Sequence, residues 1–168
     1  MAKTKVKMET SHGPLTIELE DELAPVTVAN FLQYVDDKFF DGTIFHRVIP
    51  NFMIQGGGFE PGMQQKKTKG QIVNESSNGL KNVKGSLAMA RTPQPNSATA
   101  QFFINARDND FLDRANAQDG VGYCVFGKVL DGHEVLAKIE KVPTGTKSGH
   151  GDVPLSDVKI ISVTRLPA

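Results

Sequence analysis

Residues 45–58 read FHRVIPNFMIQGGG. The pattern predicts two short strands, GTIFHRVI over 42–49 and FMIQG over 52–56, split by Pro50-Asn51. A cation, Arg47, and a neutral amide, Gln55, stand on either side of the apolar pair Phe52 and Met53. No carboxylate, cysteine or serine lies among them. The stretch offers a donor and a greasy surface without the acid, base or nucleophile of hydrolytic chemistry.

Toward the N-terminus, Val6 and Met8 alternate with lysines, and Leu15, Ile17 and Leu19 alternate with Thr16, Glu18 and Glu20. The turn signal SHGP between them predicts a hairpin. An amphipathic helix is predicted from Pro25, with Asp21 and Glu22 ahead of its positive end. Its apolar stripe is Val28, Phe31, Leu32, Val35 and Phe39. Toward the C-terminus, an irregular region runs from Gly56 to about Gly85. GSLAMA, AQFFIN and GYCVFGKVL then predict strands, with RTPQPNSAT as a loop between the first two. DGHEVLAKIEKV predicts a short helix capped by Asp131, with Glu134 at capping-box spacing, and VKIISVTRL a last strand. Seven or eight short strands and two helices in a single domain, 1–168, predict a sandwich or a barrel.

Composition narrows the partners. The formal net charge is zero, which argues against nucleic acid. No apolar run has membrane-spanning length, so no membrane partner is expected. Cys124 is the one cysteine and lies in the apolar run YCVFGKV. A buried, unreactive thiol and a reducing compartment are expected. The start MAKTKVKMET lacks the apolar stretch of a signal peptide, so a cytoplasmic location is expected, or a periplasmic one with a leader removed. His12, His46, His133 and His150 lack zinc-motif spacing. GGGFEPG and GTKSGHG match neither a dinucleotide fingerprint nor a phosphate loop. No metal or cofactor is expected.

Residues two apart on a strand share a face. Met53 thus pairs with Gln55, and Gln101 with Phe103, while Phe102 and Ile104 face the other way. Ala88 and Ala90 make a small-residue face opposite Leu87 and Met89. A shallow apolar pocket for a small ring fits this pattern, and so does ordinary core packing.

FHRVIPNFMIQGGG, GSLAMAR, SATAQFFIN and GYCVFGKVLDG, in that order along the chain, resemble the cyclophilin family of peptidyl-prolyl cis–trans isomerases. The similarity is greatest to its bacterial single-domain members. The resemblance implies an all-β fold, a closed eight-stranded antiparallel β-barrel capped by two α-helices, with a substrate groove on its outside. It implies that Arg47 is catalytic, supported by Gln55. Phe52, Met53, Gln101 and Phe103 would line the substrate site. Ala90 and Arg91 would hold the residue before proline through their backbone. Phe111 and Leu112 would form the far wall, and Tyr123 the last wall position. The implied partners are proline-containing peptides and unfolded or folding proteins, met by a monomer with a chaperone-like role. Many eukaryotic members have Trp at the position of Phe111, so cyclosporin binding is expected to be weak here. Many have His at the position of Tyr123, which should alter peptide preference. Arg91 replaces a common Asn, a contact that the backbone carries.

Overall fold

Val6, Met8, Leu15, Ile17 and Leu19 are fully buried on one face of the hairpin formed by β1 (Lys5–Thr10) and β2 (Gly13–Leu19). This is the alternation that the sequence predicts. The computed structural model describes residues 3–167. After α1 (Pro25–Asp36) come β3 (Ile44–Ile49), β4 (Met53–Glu60), β5 (Gln64–Gln65), β6 (Ser86–Met89), β7 (Phe102–Asn105) and β8 (Val125–Asp131). α2 (His133–Glu140) precedes β9 (Thr144–Lys147), β10 (His150–Pro154) and β11 (Ile160–Arg165). The main sheet runs β11-β1-β2-β8-β6-β7-β4-β3, with β5 beside β4 and β9–β10 as a separate hairpin.

The sheet is an open, strongly curled half-barrel of eight strands, not the closed barrel expected. Its two edge strands meet at one end only. Gly42 N–H donates to Ile160 O at 2.8 Å, Ile160 N–H to Thr43 O at 2.7 Å and Phe45 N–H to Val158 O at 2.9 Å, around one bridge between Ile44 and Lys159. From there β11 follows β1, while β3 packs against β10, so no ladder closes the cylinder.

Strand alternation divides the buried residues between two faces. Ile54, Leu87, Met89, Phe102 and Ile104 enter the main core, with Val28, Phe31 and Val35 of α1 and Val135, Leu136 and Ile139 of α2. Met53, Ala88, Phe103 and Val125 form a smaller cluster, with Ile49, Phe52, Ala90, Leu112 and Tyr123 packed on it. The small-residue face of β6 therefore belongs to the second cluster. Cys124 is buried in the main core, and burial pushes its thiol pKa up.

Several elements depart from the expectation. α1 ends at Asp36, so Phe39 lies beyond it and packs its ring on Tyr34 at 4.7 Å. The N-terminus of α1 is capped from far along the chain: Glu75 accepts from Val26 N–H at 3.3 Å and Thr27 N–H at 2.7 Å. Asp21 instead accepts from Thr4 N–H at 2.8 Å. The capping box of α2 does not form, because Asp131 is still in β8 and Gly132, at φ 100°, is the cap. β4 continues through the glycines to Glu60, into the region expected to be irregular. The β9–β10 hairpin was not signalled by periodicity, since only Val153 and Pro154 of its strand residues are buried.

Candidate active site

Arg47 reaches the second face through an irregularity in β3. Phe45 is in the main core, so a regular strand would turn Arg47 inward as well. The β3–β4 register shifts between Phe45 and Arg47, and this places Arg47 directly opposite Gln55. Gln55 in turn lies opposite Phe103 of β7, and Phe103 opposite Ala88 of β6. Four strands thus present Arg47, Gln55, Phe103 and Ala88 as one row on the outer face of the sheet.

Polar contacts run along that row. Arg47 Nη1 approaches Gln55 Oε1 at 3.5 Å, and Gln55 Nε2 donates to Gln101 Oε1 at 3.1 Å. Gly58 makes room for this: a Cβ there would sit 2.5 Å from Gln101 Cγ. Phe52 arrives from the turn between β3 and β4, where Asn51 takes φ 58°, a conformation asparagine tolerates. Leu112 belongs to a short 3-10 turn, Asp110–Leu112, and its carbonyl accepts from Tyr123 N–H at 3.0 Å. Tyr123 meets Phe103 edge-on with ring centroids 5.6 Å apart.

Arg47, Phe52, Met53, Gln55, Ala90, Arg91, Phe103, Leu112 and Tyr123 line one open pocket of about 140 Å³. Of the eleven residues named from the sequence, only Gln101 and Phe111 are outside this lining. Gln101 holds Gln55 from behind, and Phe111 stacks on Phe52 at 5.8 Å with its ring half exposed. Among the described residues no carboxylate lines the pocket, so the cationic Arg47 faces it with a neutral amide beside it.

A model of the family described as cyclophilin type peptidyl-prolyl cis-trans isomerase/CLD matches residues 5–165. The chain belongs to this family. Peptidyl-prolyl cis-trans isomerase B of Escherichia coli is 58% identical over 160 residues, covering 95% of this chain and 98% of that protein. A peptidyl-prolyl cis-trans isomerase of Acinetobacter baylyi is 55% identical over 163 residues, covering 97% of this chain and 86% of its own. A Cryptosporidium parvum cyclophilin-type isomerase, solved in the presence of the dipeptide Ala-Pro, superposes with a TM-score of 0.79 at 27% identity, covering 98% of this chain and 99% of its own.

The side chain of Arg91 is packed into the pocket wall. Its guanidinium lies over the Tyr123 ring at 4.5 Å and its Nη2 pairs with Asp119 and with Gly122 O, each at 2.7 Å. Two backbone N–H groups and Arg91 hold the Asp119 carboxyl well below the usual carboxylate range. Sequence reading missed Asp119, because nothing in GYCVFGK signals a partner four residues upstream of Tyr123. It also missed the buried polar groups Asn82, Asn105, Asn109 and Asp113 behind the pocket.

His46 sits beside Arg47 but faces away from the pocket, packed on Phe59 at 4.3 Å between ring centroids. Burial, then the charges of His150 and Arg47, lower its pKa to about 4. The unfolded chain binds this proton from about pH 6.5 downward, while the fold refuses it until about pH 4. This stability is therefore complete above pH 6.5 and is lost as the pH falls toward 4, by roughly 3 kcal/mol in total. His46→Phe keeps a ring on Phe59 and should flatten that slope. Urea midpoints at about pH 7.5 and about pH 4.5 would check it, and an unchanged difference between them would remove His46 as the cause.

Proposed function

We propose that this chain is a peptidyl-prolyl cis–trans isomerase that turns X-Pro bonds by presenting Arg47 to the twisted amide. The observation that carries the reading is the Arg47 cation beside a ring-sized pocket walled by Phe52, Met53, Phe103 and Leu112, with no carboxylate, serine, cysteine or histidine in its lining among the described residues. Rotation about an X-Pro bond breaks only amide resonance, against a barrier of about 18–20 kcal/mol. No covalent bond forms, so no nucleophile or general base is required.

At the transition state the proline nitrogen regains its lone pair and becomes a better acceptor. A donor aimed at it binds that state more tightly than either ground state, which is what lowers the barrier. Four decades of rate correspond to about 5.5 kcal/mol. One preorganised donor supplies about 3–4 kcal/mol of this, and exclusion of water by the apolar walls supplies the remainder. Phe52, Met53, Phe103 and Leu112 hold the ring, Gln55 orients Arg47, and Gln101 orients Gln55. Ala90 and Arg91 hold the preceding residue by their backbone. Phe111 offers a ring without an N–H donor, so cyclosporin binds weakly.

Uncatalysed isomerisation takes about tens to hundreds of seconds, slow enough to limit folding. A monomeric isomerase that assists folding chains in the cytoplasm fits this chemistry. The test is two-dimensional NMR exchange spectroscopy on an Ala-Pro-Phe peptide with a trace of protein. Cis–trans cross-peaks that appear only with protein are expected. Peptide shift changes without faster exchange would make the chain a binding module instead.

A further inference from the structure

The Phe52 and Leu112 walls of the pocket come from two turns, neither of which lies within a strand. Behind them runs a buried chain of polar side chains. Asn109, only 1% exposed, donates from Nδ2 to Phe52 O at 2.9 Å and to Asn105 Oδ1 at 2.8 Å. Its carbonyl accepts from Leu112 N–H at 3.0 Å. One residue therefore binds the backbone of both walls. The chain continues inward: Asn105 Nδ2 donates to Asn82 Oδ1 at 3.1 Å, and Asn82 donates to Asp113 Oδ1 from its backbone at 2.6 Å and its side chain at 3.0 Å. Asp113 follows Leu112 directly, so the path returns to the wall from which it started. None of these four side chains lines the pocket.

We infer that Asn109 is a positioning residue: it ties the Phe52 wall to the Leu112 wall and so sets the width in which a proline ring is held. The inference rests on the isomerase reading of the pocket and deepens it. Losing such a residue weakens ring binding in ground state and transition state alike, which raises KM and spares kcat. A buried hydrogen-bonded group has a second effect, on stability, that is independent of the pocket. Two readouts separate these effects.

The experiment measures kcat and KM on the Ala-Pro-Phe peptide, with urea midpoints alongside, for wild type, Asn109→Ala and Asn109→Leu. The second variant keeps most of the volume but has no group that can donate to Phe52 O. Both should raise KM by roughly tenfold, with kcat changed by less than about threefold. Val163→Ala is the control, a buried side chain of the main core with no contact to the pocket. It should lower the urea midpoint and leave KM alone. KM within about twofold of wild type in the Asn109 variant that folds would overturn the inference. So would an equal rise in Val163→Ala. If wild type binds the peptide without speeding exchange, the isomerase reading fails, and the same comparison of Kd values decides on Asn109.

Discussion

Arg47→Ala should lower kcat/KM on an X-Pro peptide by roughly a hundred- to a thousandfold while the protein stays folded. Arg47 is exposed, and its contact to Gln55, at 3.5 Å, is long for a hydrogen bond. Its removal should therefore change stability by no more than about 0.5 kcal/mol. The loss should fall on kcat, because the donor is needed when the proline nitrogen pyramidalises and hardly before. Peptide Kd, read from NMR shifts, should stay close to wild type. Arg47→Lys keeps the charge but not the planar fork, so it should recover only part of the rate. Turnover unchanged in Arg47→Ala would remove the residue from the chemistry.

The largest stability loss is expected at the neighbouring pair Phe102 and Phe103, and only at its first member. Phe102 is fully buried, with ring centroids 5.5 Å from Phe40, 5.7 Å from Phe31 and 6.2 Å from Phe45. It joins α1, the chain after α1 and β3 through edge-to-face contacts. Phe102→Ala leaves a cavity that these rings cannot all fill, at about 3–5 kcal/mol. That is a large part of the stability of an ordinary domain, about 5–15 kcal/mol. Phe103 points to the other face, where it borders an open pocket, so Phe103→Ala should weaken peptide binding more than folding. Urea unfolding followed by circular dichroism would check the stabilities, and peptide Kd from NMR shifts the binding. A loss below about 1.5 kcal/mol in Phe102→Ala would mean that the aromatic cluster repacks around the gap.

The sequence by itself determined the facial sorting of β4, β6 and β7, because within a regular strand that depends on a period of two and on nothing distant. It separated Phe102 from Phe103, Ala88 from Leu87, and Met53 with Gln55 from Ile54. The first hairpin and the stripe of α1 as far as Val35 follow from equally local patterns. Resemblance of the quoted motifs then named eleven candidate residues, nine of which line the pocket.

What only the tertiary structure decided involves partners far apart in the chain. By alternation Arg47 belongs with Phe45 in the core, and only the register shift against β4 turns it outward. Glu75 caps α1 from 48 residues away, while the nearer Asp21 serves Thr4. The barrel stays open because β11 follows β1 while β3 leans on β10, a competition between edges that no single strand encodes. Asn109 reads as an ordinary loop residue in DNDFLD, yet it joins both walls of the pocket. A hydrogen bond depends on where two backbones come to rest, and that position is a property of the whole packed chain.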